Sequence, residues 1–355
     1  MPIVLTQTKH YQTKVRLRKY LQELPAGSIL PVVTELEELF SCSHGTMVYA
    51  LKELAKEGLI VRPPRKQRYI VTQHTERGLP RIALVRPDFP SLGAEKLFRG
   101  IFERGRAQNW RMNLFCFRNV DELDFDYIAG NFDAMIILPA SEDVPKNLID
   151  RMLEMKKTIV LITEHVDNPW INNVVTNDEA VGRIAAREFH KRGYKRVLLI
   201  KDQPAESTMR LRIAGYRTEA AKLGIDCGDE LFIDTELASF EELSLKLTTR
   251  FSEFLNSGIP FDAVFCLTID AAIIVHKMLL ASGRKIPQEV GLLAYCGENN
   301  IAEYFTPAIT TLAIDLEVEL DQIVSILENG LEGQTKPAGK FLIPVHLHER
   351  ESLKK

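Results

Sequence analysis

The sequence predicts an α/β fold in two parts: a small N-terminal unit of helices with one hairpin, and a larger two-lobed body in which helices flank parallel sheets. The 355 residues, 45% of them apolar, exceed what one ordinary hydrophobic core holds. After residue 80, short apolar runs alternate with amphipathic helix patterns, which is typical of buried parallel strands connected by helices. We therefore expect a first domain over 1–72, a polar linker over 73–80 and a body over 81–355.

Charge divides the chain at the same place. Up to Gly78 there are twelve Lys or Arg against seven acids, a net charge of +5, so the remainder carries −8 of the total of −3. A basic head on an acidic body favours attraction of the head, but not of the body, to the phosphates of a nucleic acid.

The five cysteines never form a Cys-x-x-Cys pair, so we expect reduced thiols with no disulfide framework, metal site or other cofactor. No run of about 18 apolar residues occurs, and the first residues lack the layout of a secretion signal. We therefore expect a cytoplasmic protein that does not contact a membrane.

Three helices are predicted in the N-terminal unit. The first extends over 11–24, the second begins at the capping Thr34, and the third begins after the capping Ser43 and stops at Gly58. The apolar side chains whose helical spacing predicts that they face inward are Leu36, Leu39, Phe40, Met47, Ala50, Leu51 and Leu54.

Two short apolar runs, 59–61 and 69–71, predict a hairpin with the basic tip 62–68. Three helices and such a hairpin predict a winged helix-turn-helix that binds double-stranded DNA. The candidate DNA contacts are Thr34, Ser43, His44, Thr46, Tyr49, Lys52, Arg62, Arg65, Lys66 and Arg68. A solvated surface position stays open for Tyr49 and Lys52, and a place beside the helix cap stays open for His44.

The segment from Pro25-Ala-Gly-Ser-Ile-Leu-Pro31 to Glu57-Gly58-Leu59 resembles the GntR-type winged-helix family over about sixty residues. Where that family usually places arginines, this chain has Thr34, His44 and Val48. The usual Gly-x-Gly tip of the wing is replaced by a more cationic, stiffer segment at 63–68. We infer that DNA affinity depends mainly on the wing, whose cations displace counterions from phosphates.

Strands and helices alternate in the body. The predicted strands are 82–85, 113–117, 134–138, 158–162, 197–200, 263–267 and 291–295. The predicted helices are 94–108, 145–156, 178–192, 209–223, 240–256 and 270–282.

Ligands bind at the carboxyl ends of strands in open parallel sheets, and the loops there are poor in catalytic motifs. The sequence has no dinucleotide fingerprint, no phosphate-binding P-loop and no Gly-x-Ser-x-Gly elbow. His346 and His348 share one face of a strand but lack a second ligand pair for a metal. Binding without catalysis is therefore the expectation.

The body resembles the LacI/GalR-type regulator core, which is similar to periplasmic sugar-binding proteins. The stretches that carry the resemblance are 177–179 with 187–197, 209–216, 304–311 and 347–352. The resemblance implies one lobe over about 81–176 and 316–340 and a second over about 177–312 and 341–352. Combined with the head, it points to the arabinose-repressor group of bacterial transcription regulators.

The same resemblance implies an effector site. Arg212 matches an effector-binding arginine, whose planar fork suits paired hydroxyls or a carboxylate, although a salt-bridged structural arginine is the alternative. Asp270 is either a ligand contact or a helix cap, and Phe89 either stacks on a sugar or packs in the core. The full set of candidates is Phe89, Ser91, Thr163, Arg212, Ile269, Asp270, Tyr295 and Cys296.

Two departures from the family bear on the ligand. Tyr295-Cys296 stands where an aromatic residue is typically followed by Asp, and Ile269 replaces a residue that is commonly polar. The pocket therefore loses an acceptor and a polar group, and two alternatives stay open: an effector less typical of the family, or a neighbour such as Glu298 as the substitute acceptor.

The sequence thus favours a homodimeric, ligand-responsive transcription regulator, expected to be a repressor, that binds operator DNA and a sugar or related metabolite. A sugar-binding receptor whose head no longer binds DNA is the alternative, motivated by Thr34, His44 and Val48. An enzyme is a distant third hypothesis.

Overall fold

The computed structural model describes residues 9–22, 24–25, 27–56, 58–63, 68–72, 79–88, 92–139, 144–203, 207–236, 243–296, 300–334 and 337–354. The chain divides into two compact units, Met1–Leu79 and Pro80–Lys355. Within the described ranges, no helix is both long enough and apolar enough to cross a membrane.

The N-terminal unit contains three helices and a two-stranded antiparallel sheet. Its elements are α1 (Lys9–Gln22), α2 (Val33–Phe40), α3 (His44–Lys56), β1 (Ile60–Val61) and β2 (Ile70–Val71). Ile60 pairs with Val71 and Val61 with Ile70. The predicted stripe Met47, Ala50, Leu51 and Leu54 is buried, which confirms the helical spacing assigned to α3.

Two details of α2 differ from the prediction. The helix begins one residue early, and Thr34 lies inside it and is exposed, because Val32 takes the cap position and its N–H donates to the Glu35 carboxylate at 3.0 Å. Leu39, expected to face inward, is 55% exposed, while Leu36 and Phe40 are buried. Leu39 therefore lies at the edge of the buried stripe of α2, with Leu36 and Phe40 at its centre.

The first lobe of the body begins with alternating strands and helices. In chain order these are β3 (Arg81–Pro87), α4 (Leu92–Ala107), β4 (Arg111–Phe117), α5 (Phe125–Asn131), β5 (Ala134–Ile137), α6 (Lys146–Glu154), β6 (Thr158–Ile162) and β7 (Asn172–Thr176).

The chain then enters the second lobe and returns. In order these elements are α7 (Asp178–Lys191), β8 (Val197–Lys201), α8 (Ser207–Leu223), β9 (Phe232–Asp234), α9 (Leu243–Asn256), β10 (Ala263–Cys266), α10 (Ile269–Ala281), β11 (Gly291–Tyr295), β12 (Thr310–Ile314), α11 (Leu316–Leu331), β13 (Lys340–Ile343) and β14 (Val345–His348).

Each lobe has a six-stranded sheet. The first sheet has the order β13-β7-β6-β5-β3-β4 and is parallel throughout; the second has the order β14-β12-β11-β10-β8-β9, with only β14 antiparallel. Both faces of each sheet are covered, since Ile82 and Leu84 belong to one apolar cluster and Ala83 and Val85 to another. This two-sided burial explains the continuous apolar runs of the sequence.

The chain crosses between the lobes three times, after β7, β12 and β13. We expected residues from 341 onward in the second lobe, but β13 pairs with β7 of the first lobe, with Phe341 opposite Val174. The crossing therefore falls at Pro344. The sequence does not indicate this crossing, because one alternating apolar pattern continues through both short strands, β13 and β14.

Helices α7 and α8 of the second lobe touch through their backbones. A Cβ on Gly182 would lie 2.1 Å from the Arg212 carbonyl oxygen, and one on Gly215 would lie 2.2 Å from the Glu179 carbonyl oxygen. Only glycine permits this approach. It brings Asp178, at the start of α7, next to Arg212 on α8.

Replacing Gly182 or Gly215 with Ala is expected to reduce the free energy of unfolding by about 1–3 kcal/mol or more, because the two backbones must separate. The melting temperature would fall by roughly 2–4 °C per kcal/mol. Gly130→Ala is the matched control, since nothing lies within 4 Å of its Cβ position on exposed α5. Thermal unfolding in which all three variants behave alike would contradict the close approach.

Candidate functional site

Polar residues converge where strands of both lobes end. They are Thr163, Glu164 and His165 after β6, Thr176 and Asp178 at the end of β7, Asp202 after β8, Thr268 and Asp270 after β10, and Tyr295 at the end of β11. Because these strands belong to two parallel sheets, their carboxyl ends are where such a fold binds ligands. We call Glu164, His165, Thr176, Asp178, Arg212 and Tyr295 the junction cluster.

Arg212 of α8 is the centre of the junction cluster. It is only 5% exposed, its Nε donates to Asp178 Oδ1 at 2.7 Å, and its Nη1 donates to the Leu267 carbonyl at 2.8 Å. Its Cζ lies 3.7 Å from the centre of the Tyr295 ring, a cation–π contact. The guanidinium group of Arg212 is therefore oriented by Asp178 at its edge and by the Tyr295 ring against its face.

Three sets of hydrogen bonds connect the lobes around this pair. His165 Nε2 lies 2.8 Å from Asp178 Oδ2, and Thr176 Oγ1 lies 3.1 Å from Tyr295 Oη. The carboxylate of Glu164 accepts from the backbone N–H of Ser207 at 3.1 Å and from its hydroxyl at 2.5 Å. Ser207 is the first residue of α8, so a carboxylate there is also stabilised by the helix dipole.

Thr163 holds the β6 end in a strained conformation. Its φ is +74°, a left-handed backbone that a β-branched residue rarely adopts. Such strain is retained mainly at functional sites, where surrounding contacts impose it. Here it directs the next two residues, Glu164 and His165, toward the second lobe.

Burial dominates the electrostatics of the acids near Arg212. It raises the pKa of Glu164 to about 7, opposed by the Ser207 hydrogen bond and reinforced by Asp178. It raises the pKa of Glu319, on α11, to about 8, with Asp178 adding to the effect. The phenol of Tyr295 has its pKa raised to about 12, again chiefly by burial. The site therefore holds carboxyls that retain protons near neutral pH.

Asp202 is the most deeply buried of these acids. Burial raises its pKa to about 7, opposed by the hydroxyl of Thr268, which donates to Oδ2, while Asp270 raises it further. Its Oδ1 has no hydrogen-bond partner among the described residues, and neither has the hydroxyl of Thr235. An unpaired buried carboxylate oxygen favours the protonated, neutral acid.

The structure brings four of the sequence candidates to the strand ends: Thr163, Arg212, Asp270 and Tyr295. Phe89 and Ser91 lie outside the described residues. Ile269 and Cys296 are buried among the apolar side chains of the second lobe, and their role as effector contacts stays a prediction. Thr268, rather than Asp270, caps α10, since its hydroxyl accepts from the Ala271 N–H at 3.2 Å.

Sequence reasoning missed Glu164, His165, Asp202 and Glu319. Asp202 carries a signal, since it is an acid that follows the apolar run 197–200 and Lys201, as does Glu164, two residues after β6. Glu319 carries none, because an acid in the first turns of a helix is ordinarily a solvated, dipole-favoured residue.

The N-terminal unit presents a polar face on α3 and the hairpin. Tyr49, Lys52, Arg62 and Arg68 are exposed, whereas Arg65 and Lys66 lie outside the described residues. His44 is exposed at the start of α3, with its Nδ1 2.6 Å from a Glu37 carboxylate oxygen.

Ser43 caps α3 as predicted, and the same contact removes one candidate. The Ser43 hydroxyl accepts from the Thr46 N–H at 3.4 Å and lies 2.9 Å from the Thr46 hydroxyl. Thr46 is only 6% exposed. Its assignment as a DNA contact is therefore corrected, because its side chain is committed to the helix cap.

The Asp202→Asn variant is expected to gain stability over the natural protein as the pH rises. Because the folded-state pKa is about 7 against an ordinary 3.8, the folded state holds a proton that the unfolded state has released within this window. Stability from this group therefore falls between pH 4 and 7, by up to roughly 1.4 kcal/mol per pH unit, and the amide removes that loss. Urea unfolding at pH 5 and pH 8 measures the difference.

The control for this variant is Asp121→Asn, which changes an exposed acid in the first lobe. If the stability difference between Asp202→Asn and the natural protein were the same at both pH values, the prediction would be contradicted. The buried carboxyl would then have a partner in solution that keeps its pKa near the ordinary value.

Comparisons with known proteins place this architecture. Residues 186–353 match the periplasmic binding protein-like domain family. The HTH-type transcriptional regulator CelR of Thermobifida fusca is 23% identical over 347 residues, 92% of this chain and 94% of CelR. The probable HTH-type transcriptional repressor ExuR of Bacillus subtilis is 22% identical over 243 residues, 67% of this chain and 70% of ExuR.

Solved structures agree in fold. A CelR–cellobiose complex superposes with a TM-score of 0.67 at 19% identity, covering 91% of this chain and all of that one at 100%. A LacI-family transcriptional regulator from Enterococcus faecium with bound ribose superposes with a TM-score of 0.65 at 20% identity. The match covers 77% of this chain and 98% of that one. The relatives are transcription regulators rather than enzymes. The chain is thus similar to HTH-type transcriptional regulators along most of its length, and its body has the fold of solved LacI-family regulators.

Proposed function

We propose that the protein regulates transcription as a homodimer whose heads bind operator DNA and whose body senses a hydroxyl-bearing metabolite of sugar size. The observation that supports this proposal most is the junction cluster, in which polar groups of both lobes meet around Arg212. A ligand held there contacts both lobes at once. It can therefore change how they are arranged.

The head is proposed to be a GntR-type winged helix-turn-helix over 1–72. Its three helices are followed by a two-stranded hairpin, and its net charge of +5 suits phosphate contact. The DNA contacts proposed on it are Ser43, His44, Tyr49, Lys52, Arg62, Arg65, Lys66 and Arg68 together with the exposed Thr34. Placing α3 in a major groove would bring Tyr49 and Lys52 toward base edges.

A sugar or sugar derivative fits the chemistry of the junction. Buried carboxyls accept hydrogen bonds from hydroxyls, and the Tyr295 ring offers an apolar face for a sugar ring. The solved relatives with bound cellobiose and ribose are consistent with that class of ligand.

Coupling to DNA requires only a modest preference of the ligand for one lobe arrangement. Differential binding worth about 1–3 kcal/mol changes DNA affinity 5- to 150-fold. The contacts of Glu164 with Ser207 and of His165 with Asp178 are those that a change of lobe arrangement would alter. In a homodimer, such a change alters the distance between the two heads and hence the fit to paired half-sites.

A second candidate function is a sugar receptor with a head that no longer binds DNA. It is favoured by His44, which stands where related heads carry arginine and whose ring is engaged by Glu37. A gel shift with a pool of genomic fragments at low salt separates the two functions. Absence of any retained fragment would favour the receptor.

Arg212→Ala is expected to abolish the ligand response, lowering ligand affinity at least about tenfold, while operator affinity changes less than about twofold. The reason is that Arg212 orients the junction cluster but lies outside the N-terminal unit. Fluorescence anisotropy of labelled operator, with and without ligand, measures both quantities.

Arg250→Ala provides the matched control. Arg250 lies on α9 of the same lobe, and its side chain makes an exposed ion pair with Glu236. An undiminished response in Arg212→Ala would remove Arg212 from the site. Loss of response in both variants would point to general destabilisation of the lobe.

Replacing Arg65, Lys66 and Arg68 with Ala is expected to weaken operator binding and to flatten its salt dependence. The slope of log K against log salt should decrease by about 1 for each bond to a phosphate that the substitutions remove. Binding isotherms between about 50 and 200 mM salt give this slope. The control replaces three exposed cations of the body, Arg106, Lys156 and Lys157. An unchanged slope in the wing variant would contradict the role of the wing.

A further inference from the structure

His44 and Glu37 form a pair at the start of the proposed recognition helix. His44 is the first residue of α3, and its Nδ1 lies 2.6 Å from Oε1 of Glu37 on α2. Among the described residues, Glu37 makes no other ion pair. The side chain of His44 is 70% exposed and that of Glu37 is 21% exposed, so the pair joins a shielded carboxylate to an imidazole that faces solvent.

The contact with Glu37 fixes which ring nitrogen of His44 carries a proton. An ionised carboxylate only accepts hydrogen bonds, so Nδ1 must be the donor to Glu37. A neutral imidazole has one N–H, which leaves Nε2 as a bare acceptor. A protonated imidazole has two N–H groups, which makes Nε2 a donor. The chemistry that Nε2 offers to a partner therefore depends on the charge of the ring.

The position of His44 on α3 suits a contact with DNA. Tyr49 and Lys52 are exposed along the same helix, whose N-terminal residues meet the DNA in helix-turn-helix proteins. The phosphate oxygens there, like N7 and O6 of guanine, are hydrogen-bond acceptors. The protonated ring of His44 matches these acceptors. The neutral ring does not, because its bare Nε2 is an acceptor as well.

The charge of the pair decides whether it favours DNA. With a neutral ring, the pair carries the single negative charge of Glu37, which repels phosphates. With a protonated ring, the pair is neutral overall, and the Nε2–H of His44 can donate a charge-assisted hydrogen bond to a phosphate oxygen. Protonation thus removes a repulsion and adds a donor. By linkage, DNA in turn favours the protonated ring.

The other groups around the turn between α2 and α3 leave Glu37 as the partner of the ring. Arg16, on α1, donates to the carbonyl of the last α2 residue at 3.1 Å. Glu38 is exposed on α2, and Cys42 keeps its proton near neutral pH, because burial raises the pKa of its thiol. The positive end of the α3 dipole disfavours a cation at His44, and the carboxylate of Glu37 offsets this effect.

We propose that His44 is a proton-dependent DNA contact and that Glu37 is the positioning residue that makes it one. The inference rests on the proposed DNA-binding function of the head and adds a dependence on pH. When the head binds, the ring of His44 takes up one proton from solvent, and its Nε2–H donates to a phosphate oxygen of the DNA backbone. DNA affinity therefore rises as the pH falls from 8 to 6.

The test measures the DNA affinity of the full-length protein at pH 6 and pH 8. The probe is the fragment that the natural protein retains most tightly from a pool of genomic fragments, labelled for fluorescence anisotropy. We expect an affinity about threefold to tenfold higher at pH 6, within the limit of about a hundredfold that uptake of one proton sets over two pH units. Between about 50 and 200 mM salt, the slope of log K against log salt should be steeper by about 1 at pH 6, because one more phosphate is neutralised.

Substitutions of the pair separate its charge from its shape. His44→Gln cannot be protonated and should show the natural pH 8 affinity at both pH values. His44→Arg carries a permanent charge and should show the natural pH 6 affinity at both. Glu37→Gln removes the repulsion and the partner of the ring, so its affinity should rise at pH 8 and vary less with pH. His190→Gln, at an exposed histidine of α7, is the matched control and should keep the natural dependence on pH.

The outcomes distinguish this inference from the function beneath it. Retention of no fragment at either pH would overturn the DNA-binding function and the inference with it. A retained fragment whose affinity does not change with pH, or changes equally in His44→Gln, would overturn the inference alone. Weaker binding of His44→Arg at both pH values would show that His44 serves only the fold of the head. A natural dependence on pH in Glu37→Gln would remove Glu37, and an unchanged salt slope would remove the phosphate contact.

Discussion

The buried ion pair between Arg212 and Asp178 is the contact on which the rest of the site depends. An arginine taken out of water requires a partner, and the 2.7 Å contact with Asp178 supplies it. The pair exists because Gly182 and Gly215 let α7 and α8 touch through their backbones. Asp178 also contacts His165 of the other lobe, so a single carboxylate connects helix packing, lobe contact and site chemistry.

The acids around this pair give the body an unusual electrostatic character. Glu164, Asp202 and Glu319 are buried with pKa values near or above neutrality, so the protein holds protons where a ligand is expected. Burial, rather than pairing with a cation, sets the protonation of these carboxyls, because it disfavours their charged form. The net charge of −8 beyond Gly78 opposes association of the body with the phosphates of a nucleic acid.

Much of the fold was predictable because periodicity is a local property. The wholly apolar strands, such as β5 in the first sheet and β10 in the second, and the buried stripe of α3 follow directly from spacing. β7 was not predicted, since Asn172 and Asn173 interrupt its apolar pattern, with the Asn173 amide buried by hydrogen bonds to Leu161 and Glu164 carbonyls. The site was less predictable, because the contacts of Asp178 with Arg212 and His165 join residues that are far apart in the sequence and share no local pattern.

A double-mutant cycle on Asp178→Asn and Arg212→Met tests the central claim most directly. Urea unfolding of the natural protein, both single variants and the double variant yields the coupling energy between the two side chains. A buried pair that organises the junction predicts a coupling above about 1 kcal/mol, with the double variant more stable than the sum of the two single effects implies. Single effects that add to within about 0.5 kcal/mol would contradict the account, because the two side chains would then act independently.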